Sequence, residues 1–362
     1  MGPAQHLRQT GGPKMKIAQI APLAESVPPR LYGGTERVVS YLTEELVRLG
    51  HEVTLFASGD SSTRARLLGC APRALRLDPG VRDPLPHLLL MLERVRQRAQ
   101  EFDLLHFHID PPLHFPLFRA LARKSVTTLH GRLDMPDLQP LFREFSDMPL
   151  VSVSDSQRQP LPEANWAGTV HHGLSPEVCP FNPAPRGNYF AFLGRVSPEK
   201  GVERAIAIAR GAGVRLRIAA KIDAVDQKYY RERIAPLIGG QVEYIGEVDE
   251  GEKPAFLGNA RALLFPIDWP EPFGLAMIEA MACGTPVLAW RNGAVPEIVE
   301  HGSSGYIVDS IDQAIALVPR LAQLERTWVR ARYEARFTAA RMARDYLAVY
   351  RALGRRYALK AV

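Results

Sequence analysis

The stretch Trp269–Val287 reads WPEPFGLAMIEAMACGTPV, and the rest of the chain is organised around it. It sets two carboxylates, Glu271 and Glu279, on either side of Phe273, Gly274 and Leu275. Pro270 and Pro272 fix their own φ and keep their neighbours extended, which makes the approach stiff. The apolar run after Gly274 predicts a helix. Its first N–H groups lack intrahelical partners, and those bare donors together with the helix dipole favour an anion. Glu271 then lies on the loop before that end. Glu279 lies about two turns along, roughly 12 Å away if the whole stretch were helical. Acids on both sides of an anion site suit a ligand with phosphate in its middle and hydroxyls at both ends, such as a nucleotide-sugar.

The chain has 362 residues, enough for two domains with proper cores. Its 46% hydrophobic and 23% charged content is that of an ordinary globular protein. No apolar run approaches the ~18 residues of a membrane-spanning helix. Residues 1–14, MGPAQHLRQTGGPK, lack the apolar region of a secretory signal and are expected to be a disordered extension or tag before a natural start at Met15. Cys70, Cys179 and Cys283 are widely spaced and form no metal-knuckle or CxxC pattern, so they read as small buried apolar side chains of a reduced, cytoplasmic chain. The net charge is +6, and the stretch from Arg320 to the end alone carries eleven basic residues against three acidic ones. That tail is expected either to form a solvated helical face or to make a weak contact with anionic membrane. Basic and aromatic residues do not interleave as in a nucleic-acid-binding module, so no nucleic-acid partner is expected.

Along the chain, residues 15–21 read as a buried first strand. Gly33 and Gly34 follow, and Thr35 is expected to cap a helix that ends at Gly50. Further strands are expected at 53–57, 104–109, 126–129 and 150–153, with helical patterns between them. A proline-rich linker at 180–187 interrupts the alternation. It restarts with strands at 189–193, 215–219, 242–245, 262–266 and 286–290. This predicts an α/β protein with two Rossmann-like, doubly wound domains facing a cleft. The boundaries are 15–179 for the first domain, 188–338 for the second and 339–362 for terminal helix.

Several residues fall where such sheets bind ligands, at the carboxyl ends of parallel strands. Arg195 and Lys200 stand in FLGRVSPEKG after the second domain's first strand, and two fixed cations there would neutralise a diphosphate. Gly33 and Gly34 let a ligand approach the backbone, or simply make a tight turn. In HFHID, His106 and His108 share a strand face, but no third metal ligand follows at a telling distance, so no metal is expected.

The E-x7-E spacing resembles that of the retaining glycosyltransferases of family 4, which have the GT-B fold. YGGTERVV, TLHG, FLGRVSPEKG and SSGYIVD match the family in the same order, from about Met15 into the 350s. The resemblance implies a C-terminal helix that crosses back to the first domain. It implies catalytic roles for His130, Arg195, Lys200 and Glu271, with Glu271 contacting the transferred sugar and His130 beside the reacting bond. It assigns donor contacts to Gly33, Gly34, Val248, Phe273, Gly274, Leu275 and Glu279, the last on the ribose hydroxyls. His108 is expected to line the acceptor cleft. His171-His172-Gly173 departs from the Pro-Asn-Gly of many relatives, which puts a family role for His172 in doubt. The expected activity is transfer of a hexose, with glucose the first choice, from a UDP-sugar to a hydroxyl of a small-molecule acceptor. Retention, a same-face mechanism and no cofactor or metal are implied. The alternatives are a peripheral membrane enzyme with a lipid or polysaccharide acceptor and a non-catalytic nucleotide-sugar binder.

Overall fold

The computed structural model describes residues 13–30 and 33–358, without the side chains of 357 and 358. The expected extension at 1–14 therefore lies outside the described residues except for Pro13 and Lys14. Two parallel sheets form the frame. The first has seven strands in the order β3-β2-β1-β4-β5-β6-β7. These are β1 Lys16–Ile20, β2 Glu52–Ser58, β3 Arg66–Ala71, β4 Leu104–Phe107, β5 Ser125–Thr128, β6 Leu150–Ser152 and β7 Trp166–Thr169. The second has six, β10-β9-β8-β11-β12-β13. They are β8 Phe190–Arg195, β9 Leu216–Lys221, β10 Val242–Gly246, β11 Leu263–Phe265, β12 Val287–Trp290 and β13 Gly305–Val308. In both sheets the strand order reverses beside the first strand, and the crevice at that switch is where such sheets bind ligands. The predicted doubly wound α/β architecture is thus the one observed. β3, β7 and β13 lie at sheet edges and were not among the strands expected from sequence. Two of them are only four residues long, β3 and β7 are not fully buried, and glycines interrupt or open all three, so none shows a clean period.

Four helices position the site: α1 Gly34–Arg48, α2 Lys253–Asn259, α3 Leu275–Ala282 and α4 Ala339–Ala358. The core face of α1 is Val38, Val39, Leu42 and Leu46, all fully buried. Thr35 does not cap it, contrary to the sequence reading. The helix starts two residues earlier, at Gly34, and the Gly33 carbonyl accepts the Arg37 N–H at 3.1 Å. A Cβ on Gly33 would lie 2.8 Å from Pro29, so close approach selects glycine there. Gly274, before α3, has φ +85°, and a Cβ would meet Met277 at 2.6 Å.

The chain passes between the domains at two adjacent places. Leu174 donates to Phe337 and Ala339 donates to Leu174, so the outgoing and returning segments are hydrogen-bonded side by side. Beyond that point α4 packs Met342, Tyr346, Leu347, Tyr350 and Leu353 against Ile17, Val38, Leu42 and Val53 of the first domain. The helix crosses back as expected. The basic C-terminal run is a solvated face only in part: Arg320, Arg344, Arg351, Arg355 and Arg356 are exposed, and Arg326, Arg330, Arg336 and Arg341 are not. Arg326 donates to the carbonyls of Asn182, Gly258, Ala260 and Cys283, and Arg330 to those of Cys179 and Ala282. Arg336 donates to Glu297 and Arg341 to His171 and His172. These guanidiniums are turned inward and donate to backbone carbonyls, which need hydrogen-bond partners where water is excluded. No described helix is long and apolar enough to cross a membrane.

Five histidines gather in this frame: His106, His108, His114, His130 and His172. Burial pushes all five below the ordinary imidazole value, His114 and His130 to about 3. The unfolded chain takes up these protons near pH 6.5 and the folded chain does not. Stability is therefore full above that value and falls as pH drops below it, by about 1.4 kcal/mol per pH unit for each imidazole. Burial raises Glu25, Glu36 and Asp110, which act in the opposite sense. Denaturant unfolding at pH 7.5, 6.5 and 5.5 should show the loss beginning in the histidine range. A flat profile across it would mean that these rings are not held neutral.

Candidate active site

A cleft of about 470 Å³ opens between the carboxyl ends of the two sheets. Of the sequence-predicted residues, Gly33, Gly34, His130, Arg195, Lys200, Val248, Glu271, Phe273, Gly274, Leu275 and Glu279 all line it. Gly33 and Gly34 bring the start of α1 to its rim. A Cβ on Gly34 would stand 3.4 Å from the Leu275 side chain, so the first domain's glycine turn backs directly onto the start of α3.

Glu271 and Glu279 flank that start, as their spacing predicts. Glu271 sits on the loop and is 9% exposed. Its carboxylate accepts from Lys200 Nζ at 2.6 Å and from the Trp269 indole at 3.0 Å. Lys200 also lies over the Trp269 ring, 4.8 Å from its centroid. Glu279, inside α3, is 4% exposed. It accepts from Lys253 Nζ at 2.9 Å, and the Arg37 guanidinium lies 3.7 Å away. Burial alone would raise the Glu279 carboxyl. The Lys253 ammonium and the Arg37 guanidinium outweigh it and hold the group below the usual carboxylate range. Both cations also reach Glu250, each at 2.5 Å, which closes a ring of two carboxylates and two cations between the domains.

Arg195 ends β8 and is paired with Glu199 at 2.8 Å and Asp223 at 3.4 Å. Lys221, at the end of neighbouring β9, also pairs with Asp223. A second group of cations thus faces the cleft beside Lys200, each held in place by a carboxylate. Fixed cations at strand ends beside a helix N-terminus are suited to a polyanion.

His130 follows β5 and is half-buried, with its ring stacked on that of His172 at 5.2 Å. His172 also packs on Phe273, at 4.7 Å. His172 lines the cleft, so the place where the sequence departs from the usual Pro-Asn-Gly still carries a ring into the site. His108 does not line it, and the expectation of an acceptor contact is corrected. It is fully buried behind His130, bonded to His130 Nε2 at 3.0 Å and to Gln19 Oε1 at 2.7 Å. Its ring is covered by His130 and Gln19, which keeps it out of the cleft. His106, on the same strand, is held by Tyr350 and Thr128.

Sequence reasoning missed Arg37, Lys253, Glu250 and Trp269. Arg37 and Lys253 sit among helix residues whose spacing resembles any solvated charge. Only Trp269 carried a local signal, two residues before Glu271.

Comparison with known proteins fits this geometry. The family model described as Glycosyltransferase Family 4 matches residues 32–162, and that of glycosyl transferases group 1 matches residues 180–340. The chain is 34% identical over 337 residues to N-acetyl-alpha-D-glucosaminyl L-malate synthase of Bacillus anthracis, covering 79% of this chain and 84% of that protein. It is 27% identical over 358 residues to phosphatidyl-myo-inositol mannosyltransferase of Mycolicibacterium smegmatis, covering 89% and 88%. The crystal structure of a glycosyltransferase involved in avilamycin A biosynthesis superposes with a TM-score of 0.69 at 26% identity, covering 94% of this chain and 98% of that one. With two parallel sheets meeting at a cleft, and with both family models matched in chain order, the protein belongs to glycosyltransferase family 4 and has the GT-B fold.

Proposed function

We propose that this glycosyltransferase moves a hexose, with glucose the first choice, from a UDP-sugar to a hydroxyl of a small-molecule acceptor, with retention at the anomeric carbon. The observation that carries the donor reading is the pair of buried acids flanking the start of α3, each clamped by its own lysine. Glu279 sits deepest, where a carboxylate would accept from ribose hydroxyls. Glu271 sits at the mouth of the helix, where it would accept from hydroxyls of the sugar. Between them the N-terminus of α3 meets the diphosphate. Arg195 and Lys200 neutralise the negative charge that grows on the departing diphosphate, so no metal is required. The leaving phosphate oxygen takes the acceptor proton on the same face. Glu271 is engaged by Lys200 and Trp269, which suits holding hydroxyls better than attacking the anomeric carbon. The relative whose name denotes a malate product supports a small-molecule acceptor.

One observation favours a second reading, a lipid acceptor. The helix Leu85–Arg98 of the first domain exposes Leu85, Leu89 and Leu90, at 43%, 48% and 59%. The relative named for phosphatidyl-myo-inositol points the same way. Flotation with anionic vesicles at low and high salt separates the readings: co-flotation at low salt favours the lipid, and its absence favours the small molecule.

The donor is tested by thermal shift with UDP, GDP, ADP and their hexose conjugates in EDTA. A ligand at 100 times its Kd stabilises the folded state by about 2.7 kcal/mol. UDP and a UDP-hexose should give that shift in EDTA, and Glu279→Gln should remove most of it. No shift with any nucleotide would overturn the donor reading. Arg195→Ala should lower kcat on the order of 10²-fold, the usual loss for one preorganised charge-stabilising group, with little change in acceptor KM. Unchanged turnover would remove Arg195 from the leaving-group role.

A further inference from the structure

One carboxylate of the second domain reaches into the first, and neither the donor nor the acceptor reading uses it. Glu297 lies in the short helix Val295–Ile298. Its Oε2 accepts from the Asp155 N–H and its Oε1 from the Ser156 N–H, both at 2.8 Å, and Oε2 lies 3.0 Å from His171 Nε2. All three partners belong to the first domain.

On each side this contact continues to a cleft-lining residue through a short run of hydrogen bonds. In the second domain the link is Ala294. Its carbonyl accepts the Glu297 N–H at 2.9 Å, and its own N–H donates to the Glu271 carbonyl at 2.9 Å. A Cβ on the preceding Gly293 would stand 2.3 Å from the Glu271 backbone N and O, so the two segments touch without slack. In the first domain the link is Gln157, which follows Ser156 and is 6% exposed. Its Nε2 donates to the Leu129 carbonyl at 2.9 Å and to the Gly131 carbonyl at 2.8 Å, and its Oε1 accepts from the Val153 N–H at 2.9 Å. Carbonyls only accept and a backbone N–H only donates, so this amide has one orientation. It grips the chain on both sides of His130. His171 supplies a second route, because its ring packs on Phe273, 5.9 Å away and two residues after Glu271. Glu271, Phe273 and His130 line the cleft, and Glu297 does not.

We propose that Glu297 is a positioning residue: it fixes the spacing across the cleft between the Glu271 turn and the His130 turn without touching a ligand. The consequence for turnover rests on the donor reading, in which the sugar lies against Glu271. Under that reading the nucleotide end is held separately, by the ring of Arg37, Lys253, Glu250 and Glu279. Loosening the Glu297 contact therefore leaves the nucleotide in place and misplaces the reacting end. A small misplacement of reacting groups lowers turnover far more than it lowers binding.

The test uses the full-length protein and Glu297→Gln, which keeps the size of the side chain but replaces one accepting oxygen with an amide that cannot accept a backbone N–H. Hydrogen exchange without ligand reads the coupling. Segments 129–131 and 271–274 should exchange faster together with 155–156, while 36–39 and 253–256 stay unchanged. Turnover, read as UDP released from UDP-glucose in water, should fall about tenfold, the size of one lost hydrogen bond to a charged group, with stabilisation by UDP unchanged. Faster exchange confined to 155–156 would overturn the coupling. Unchanged turnover, or an equal loss of UDP binding, would overturn the positioning role. If Glu297→Gln fails to fold, Glu297→Asp, with the same charge on a shorter arm, is read by the same measurements. Where the wild type releases no UDP from UDP-glucose, the exchange result decides the coupling by itself, and a wild type that also fails to bind UDP brings down the donor reading alone.

Discussion

Arg37 and Glu279 belong to different domains, and the site depends on their meeting. Arg37 arrives on α1 of the first domain, while Glu279, Lys253 and Glu250 come from the second. A buried carboxylate is costly without a partner, and removing one member of such a pair leaves a charge that water no longer covers. The ring of charges therefore ties the deepest part of the cleft to one arrangement of the two domains. It also keeps the Glu279 carboxyl ionised in the deepest part of the cleft.

Other contacts support the same arrangement from the back. Glu297 of the second domain accepts from the backbone N–H groups of Asp155 and Ser156, both at 2.8 Å, and pairs with His171 at 3.0 Å. Burial would raise that carboxyl, but these bonds hold it below the usual range. Arg341 on α4 donates to the carbonyls of His171 and His172, next to the ring that stacks on His130. The returning helix thus acts at two points of the site. It closes the first domain's core, and it holds His106 of β4 through Tyr350 and the backbone of His171 and His172, after β7, through Arg341.

The parts of the site that were legible in the sequence share one property. Glu271, Gly274 and Glu279 lie within a single strand–loop–helix turn, and Arg195 with Lys200 within another, so their relative positions follow from local geometry. The same holds for Gly33 and Gly34. What was not legible is pairing across the cleft. Lys253 and Arg37 look like surface charges on amphipathic helices until two domains bring them to one carboxylate. His108 was misplaced for a related reason. A histidine at a strand's end reads as a residue at the rim, yet this one sits just past the last paired residue and is covered by Gln19 and His130.

The sequence alone determined the two-domain α/β architecture, the turn that places acids on either side of a helix N-terminus, and the family. These rest on periodicity, glycine and proline geometry, and short-range spacing, all of which act within a few residues. The tertiary structure alone decided which cation holds which acid, which way the C-terminal arginines face, and which histidine meets the cleft while another stands behind it. Those outcomes depend on groups far apart in the chain competing for the same buried partners, and no local pattern encodes the winner.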